Sequence, residues 1–520
     1  MELAASRVLA PYFGNSLFVW GALLGVVLAG LSAGYSIGGM LVDRYPTARL
    51  LEAAIALGAL TVLAVPLFDE RVLAWVVELD PGPRLDPLLA SVVLFGPASV
   101  VLASVTPIAV RLSARSPDTF GGTAGNLFAV STLGSITGTF ATAFFLVPEF
   151  GTQEVLGLAA GALFLAVGIL ALGARRLLVG AAAAAAAFGA GALGFAASPR
   201  AGETLSGAEA ANWSPLYRLR GYGYSDPRDP AATVEQPELR VVFTEDTRYH
   251  RLSVVEDETT RYLRFDNSLQ SAMYIRDPNR TRFRYTDYFH LALAYNPGAR
   301  RVLYIGLGAG SSPKQMWRAF PDVQIDVVEL DSEVVEVGHR YFHVPRDPRL
   351  RVHVDDGRRF LAARADRYDA IVIDAFFADA IPFHLVTREF LELARERLTP
   401  GGVVVTNAIG ALDGPGSRLF RSIYRTYKTA FPTVVVHPAI LPEDRGDDSY
   451  RNLILVAGES AVPLRSLLAD RWDALRREHP LAPDLRGPIL DRRDAPVRIA
   501  DVPTLTDDYA PTDALLLLFQ

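Results

Sequence analysis

Six stretches of this 520-residue chain contain no Asp, Glu, Lys or Arg: 17–42, 53–68, 87–110, 120–148, 155–174 and 177–199. A helix needs about 20 apolar residues to cross the hydrocarbon core of a bilayer. Five runs reach that length, and 53–68 is shorter and borrows Leu50 and Leu51. A secretory signal would be a single short run followed by a cleavage site. The pattern therefore predicts an α-helical multi-pass membrane domain over residues 1–200. Charge is distributed to match, since only 21 of the 108 charged residues lie in the first 200. Disorder is excluded by the apolar content, and the absence of cysteine excludes disulfides, thiolate metal sites and a Cys nucleophile. A net charge of −6 argues against a nucleic-acid partner.

Within the apolar half, small residues recur every fourth position: Gly30, Gly34 and Gly38, then Gly134 and Gly138. Such spacing lets helix backbones approach closely in lipid, so helix packing is the expected role of both sets. No run carries a charge at its centre, where an ion or proton pathway would place one. Arg44 and Arg49, Arg111 and Arg115, and Arg175 and Arg176 fall in alternate loops. The positive-inside rule puts those loops in the cytoplasm, and six spans then leave the rest of the chain outside.

Residues 201–239 read as a linker containing Pro, Gly and Asp. Next, 241–244, 251–255 and 261–265 alternate with β-branched and aromatic residues, which predicts short antiparallel strands in a unit over 240–295. From 296 to 520 strands and helices alternate. Strands are expected at 302–305, 324–328, 351–354, 370–373 and 403–406, and helices at 312–320, 333–341, 388–397 and 417–429. This is the pattern of a doubly wound α/β sheet, with ligands outside the carboxyl ends of its strands.

Four features sit at such ends. Gly306, Gly308 and Gly310 follow the first strand, and glycine lets backbone approach a ligand where a side chain would clash. Glu329 lies 23 residues after Gly306, where a carboxylate takes the ribose hydroxyls. Asp356 and Gly357 follow a further strand, and Asp374 ends Ile371-Val372-Ile373. Together these predict an adenosine site, although the glycine loop alone suits either a sulfonium nucleoside or NAD. The eight histidines form no His-x-x-x-His pair on an expected helix, so no metal is predicted.

Tyr249-His250, the run Phe265-Asp266-Asn267-Ser268-Leu269-Gln270, the glycine loop, Val328 to Asp331, Asp356-Gly357 and Asp374 resemble spermidine synthases in order and spacing. The whole chain resembles the membrane-fused spermidine synthase-like proteins. The resemblance implies a methyltransferase-like Rossmann sheet and an aminopropyltransferase that uses decarboxylated S-adenosylmethionine as co-substrate. It implies Gly306, Gly308, Gly310, Glu329, Asp331, Asp356, Gly357 and Gln270 in cofactor binding, and Asp374 as proton acceptor. Tyr285, Asp287, His250 and Asp379 are the matching candidates for the amine substrate. Departures fall on the amine side: the Asp-Glu pair ahead of the family's Tyr-His-Glu run is absent, 280–284 is basic, and Phe377 stands where a second Asp is usual.

Two rival readings stand beside this one. A methyltransferase would use intact S-adenosylmethionine, whose α-carboxylate Arg282 or Arg284 would accept. A transporter or sensor would use the adenosine site for regulation. The expected partners are a small-molecule amine, the lipid bilayer and a second copy of the chain. The substrate implied by the resemblance is made inside cells. That outweighs two arginines per loop, so a cell-membrane protein with a cytoplasmic catalytic domain is expected. Two places are open to the terminal stretch 506–511, over the active site or, as the favoured expectation, capping a sheet edge.

Overall fold

The structure is a computed structural model. It describes residues 2–13, 17–79, 85–114, 120–146, 150–197, 202, 204–205, 239–266, 268–376, 381–439, 446–512 and 515. By contacts the chain divides into two compact units. One comprises Met1–Glu203 with Thr244–Arg251, the other Thr204–Phe243 with Leu252–Gln520.

The first unit is helical. Among the described residues six helices are long and apolar enough to cross a membrane: Phe18–Arg44, Ala48–Val76, Gly96–Ser113, Phe120–Leu146, Thr152–Gly173 and Leu177–Gly194. Each falls on one of the six charge-free runs. The third run, however, folds as two helices, Asp86–Leu94 and Gly96–Ser113. Pro97 sits in the first turn of the second helix, where its missing N–H costs nothing. In a continuous helix that N–H would be needed. The second run is embedded in a longer helix, Ala48–Leu79, whose polar ends are anchored. Glu52 pairs with Arg176, and Asp69 accepts a 2.7 Å hydrogen bond from Gln153.

The two glycine sets behave differently. A Cβ at Gly30, Gly34 or Gly38 would come within 2.6 Å of Ser99, Val100 or Ser104, so the first and third spans touch backbone to backbone. The Ala-rich last helix is used the same way. A Cβ on Gly157 would lie 2.8 Å from the Ala190 carbonyl, and Gly194 reciprocally faces Gly157. Around Gly134 and Gly138 there is nothing within 4 Å, and no residue of Phe120–Ala141 is buried. Among the described residues, the packing expected of this second set is not made.

The second unit opens with an antiparallel sheet in the order β1 (Thr204–Leu205), β2 (Leu239–Asp246), β3 (Arg251–Glu256), β4 (Thr260–Phe265) and β5 (Ser268–Tyr274). Leu252, Val254, Leu263, Phe265 and Met273 on one face pack against Val334, Val337 and Phe342 of helix Ser332–Phe342. The larger sheet contains β6 (Arg301–Ile305), β7 (Gln324–Glu329), β8 (Leu350–Val354), β9 (Tyr368–Ile373), β10 (Leu398–Gly410), β11 (Thr433–Pro438) and β12 (Arg451–Gly458). Its order is β11-β12-β10-β9-β6-β7-β8, with β6 to β10 parallel and β12 antiparallel to both neighbours.

The sequence of these strands accounts for a sheet covered on both sides. Leu303, Ile305, Ile371, Ile373 and Val404 enter one buried layer, and Val302, Tyr304, Ala370, Val372 and Val405 enter the other. Successive side chains on a strand point to opposite faces, so near-continuous apolar runs mark burial from both sides. Chain order reverses between β6 and β9, which opens the crevice at their carboxyl ends. The terminal stretch does not cap an edge. Leu505 is buried in the first layer, and Asp507 forms a bidentate pair with Arg358 at 2.7 and 2.5 Å, across the helical face. The exposed side of β11 is met instead by a bridge from Arg493.

Candidate active site

Gly306, Gly308 and Gly310 all have positive φ (99°, 52° and 66°), the region glycine enters without penalty. Protein atoms crowd the positions their side chains would take. A Cβ on Gly306 would fall 2.2 Å from the Asp374 carbonyl oxygen, on Gly308 2.7 Å from Ser271 Oγ, and on Gly310 2.4 Å from Val344. The loop thereby draws three elements together. It sets the backbone of Asp374 against β6, and Ser271 of β5 accepts a 3.1 Å hydrogen bond from the Ala309 N–H.

Glu329, at the end of β7, is held across the same crevice. Its Oε2 accepts from the Leu307 N–H at 2.9 Å and its Oε1 from the Asp331 N–H at 3.1 Å. Burial pushes its carboxyl up, and the two backbone bonds oppose that shift. Asp331 itself is the N-cap of helix Ser332–Phe342, accepting from the Glu333 N–H. Asp356 caps helix Gly357–Ala363 through Oδ1, while its Oδ2 lies 3.0 Å from His384 Nε2. Gly357 is a packing residue, since a Cβ there would meet Ile305 at 2.4 Å. Gln270 donates to Ser268 Oγ at 2.9 Å.

Asp374 stands at the tip of β9, beside the point where chain order reverses. Burial raises its carboxyl to about 6, partly offset by hydrogen bonds from Asn407 and Tyr285. Asn407, on β10, donates to Asp374 Oδ1 at 2.9 Å, and Asn452, on β12, donates to Asn407 Oδ1 at 2.9 Å. This amide relay fixes which way the Asn407 amide points, because its oxygen is already engaged. Tyr285 arrives from the 3-10 turn Arg284–His290 that follows the small sheet. Asp287 is buried two residues on and accepts from Thr281 Oγ1 at 2.9 Å. His250 is grouped with the first unit, where burial and, less strongly, Arg7 push its imidazole down to about 3. Asp379 lies outside the described residues.

The structure thus brings the glycine loop, Glu329, Asp356, Asp374 and Tyr285 to the strand ends of one unit. Sequence reasoning missed Ser271, Asn407 and Asn452. The signal for Asn407 was present, since it follows Val403-Val404-Val405-Thr406 on the strand beside β9. Nothing local marked Asn452, whose strand was not expected. Among the described residues no three His, Asp or Glu side chains gather as metal ligands.

Residues 283–443 match the family model described as the spermine/spermidine synthase domain. The chain carries a spermine/spermidine synthase domain. Over 287 residues it is 29% identical to a polyamine aminopropyltransferase of Vibrio vulnificus, covering 53% of this chain and 91% of that protein. A probable polyamine aminopropyl transferase of Bifidobacterium longum is 40% identical over 126 residues, 24% of this chain and 27% of the relative. A putrescine N-methyltransferase of Nicotiana attenuata is 38% identical over 133 residues, 24% of this chain and 36% of the relative. Among solved structures, a probable spermidine synthase from Corynebacterium glutamicum aligns at 21% identity and a TM-score of 0.39. That alignment covers 51% of this chain and 98% of the other. The synthase domain holds Tyr285, the glycine loop, Glu329, Asp356, Asp374 and Asn407 within its matched residues.

Proposed function

We propose that this chain is an aminopropyltransferase. It moves the propylamine group of decarboxylated S-adenosylmethionine to a small-molecule amine and releases methylthioadenosine. The observation that carries this reading is Asp374. It is a carboxylate at the reactive strand end, raised to about 6 by burial and held by Asn407 and Tyr285 beside the glycine loop. An amine must lose a proton to attack, and a base with a pKa near the working pH accepts it best. The nitrogen attacks the carbon next to the sulfonium, the carbon–sulfur bond breaks with its electrons going to sulfur, and the amine proton passes to Asp374. The donor set fits such a substrate. Glu329 faces the same crevice for the ribose hydroxyls, and Asp356 presents an acceptor for the adenine amino group.

A methyltransferase remains a second reading, supported by the 38% identity to a putrescine N-methyltransferase. The deciding experiment is mass spectrometry of products formed by the purified full chain with each sulfonium donor and a panel of amines. Methylthioadenosine with a propylamine adduct supports transfer, whereas S-adenosylhomocysteine with a methylated product replaces it. We place the synthase domain in the cytoplasm, where its substrate is made. Alkaline phosphatase activity from a fusion after Gln520, with a green fluorescent fusion dark, would overturn that placement.

A further inference from the structure

Arg282 lies between β5 and Tyr285, is 8% exposed, and has a buried Nη1 with no hydrogen-bond partner. The ring of Tyr274 lies 5.7 Å from its guanidinium carbon, but a ring face supplies no acceptor oxygen. A guanidinium cannot shed its charge in a protein, and a buried charged donor left unpaired is strongly destabilising. The hydrogen bonds described for Asp257 and Asp287 go elsewhere. Asp257 is committed to Thr259, Thr260 and the Tyr262 hydroxyl, and Asp287 accepts from Thr281. The surroundings are themselves basic. Arg264 is buried, and strand alternation puts it on the face of β4 that carries Tyr262. Arg280 stacks on Tyr274 at 4.6 Å.

Three residues further on, Tyr285 hydrogen-bonds Asp374. The chain separates the two Cα atoms, of 282 and 285, by no more than roughly 10 Å. We propose that Arg282 is the anchor for a carboxylate on a ligand whose reacting end meets Asp374. This rests on the reading of Asp374 as the proton acceptor. A planar guanidinium engages both oxygens of a carboxylate through two parallel N–H bonds. Two sources carry that group: an amine acceptor of amino-acid type, or the α-carboxylate of intact S-adenosylmethionine. On either source, a plain diamine is a poor ligand here, because its second ammonium meets positive charge.

Two matched pairs of probes read this out by calorimetry on the full chain in detergent. 4-Aminobutyrate and putrescine differ by a carboxylate at one end. S-Adenosylhomocysteine and methylthioadenosine differ by the amino-acid carboxylate and its amine. Wild type should bind at least one carboxylate probe about 10-fold or more tighter than its partner, and Arg282→Gln should abolish that preference, losing about 10- to 150-fold. Methylthioadenosine should change less than about 3-fold in the same variant, and putrescine, relieved of one repelling charge, should bind no more weakly than to wild type. Loss for 4-aminobutyrate assigns the carboxylate to the acceptor, and loss for S-adenosylhomocysteine assigns it to the donor. If wild type shows no preference in either pair, the proposal is overturned without any variant. Should Arg282→Gln not fold, Arg282→Lys, which keeps the charge and loses the fork, must weaken the preference. An unchanged preference in either variant overturns the proposal. If methylthioadenosine itself does not bind, the adenosine site has failed, and that outcome is distinct from failure of the carboxylate anchor.

Discussion

Next to Glu329, carboxylates are held by backbone N–H groups at the ends of parallel strands, whereas next to Tyr285 the buried side chains come from a separate antiparallel sheet and include an unanswered guanidinium. The first end depends only on strand ends being close together, which the larger sheet guarantees once it forms. The second end depends on how a small sheet and its following turn pack beside that edge. On the proposed function, residue changes at the second end should alter what is held beside Tyr285 while leaving the contacts of Glu329 and Asp356 in place. The absence of the family's Asp-Glu pair and the presence of Arg282 fall entirely there.

Substitutions can separate the two ends, and the largest effect is expected at their junction. Asp374→Asn keeps the shape and the Asn407 contact but cannot take a proton, so turnover should fall by about 10²–10⁴-fold. Methylthioadenosine affinity, measured by calorimetry, should stay within about 2-fold. A parallel loss of binding would show that the ends are not independent. Glu329→Ala should cost the donor end alone, about 10- to 150-fold in methylthioadenosine affinity, for loss of a charged hydrogen-bond partner. Equal affinity in wild type and variant would remove Glu329 from the site.

Asn407→Ala tests the pH dependence. Asp374 titrates near 6, so activity should rise with pH through an apparent value close to that. The Asn407 bond favours the ionised carboxylate, so removing it raises the pKa and moves the acidic limb of kcat/KM to higher pH. The loss should be about 3- to 10-fold at pH 6.5 and shrink at pH 8.5. A uniform loss at all pH values would indicate misplacement of Asp374 rather than a change in its titration. The smallest change is expected from His384→Ala. His384 occupies one oxygen of Asp356, and its removal should alter methylthioadenosine affinity by less than about 3-fold while leaving amine selectivity untouched. A change in selectivity would join His384 to the acceptor end.

Much of this molecule was legible from pattern alone. Charge-free runs of span length located all six long apolar helices, because the cost of burying charge in lipid leaves few other sequences. Continuous apolar strands followed by Gly306, Glu329, Asp356 and Asp374 located the crevice, because a parallel sheet must end in loops on one side. The same logic did not extend to β11 and β12, the antiparallel pair that completes the sheet, since the parallel pattern carries no signal for strands added at its edge. With β12 missed, Asn452 and the relay to Asp374 were out of reach.

What the tertiary structure decided was who stands next to whom. Gly30, Gly34 and Gly38 share their four-residue spacing with Gly134 and Gly138, yet among the described residues only the first set meets a neighbouring helix. The spacing fixes which face is smooth, while the partner depends on where every other helix lies. The glycines of the 306–310 loop were expected to let backbone approach a ligand, and the structure adds that Asp374, Ser271 and Val344 lie where their side chains would be. Arg282 is the sharpest instance. Sequence supplied a basic stretch, but burial without an acceptor is a property of packing among β4, β5 and the turn that follows them. Local pattern determines which groups can be charged, apolar or left-handed, because those are properties of single residues. Burial and pairing join residues far apart in the chain, and only the folded arrangement sets them.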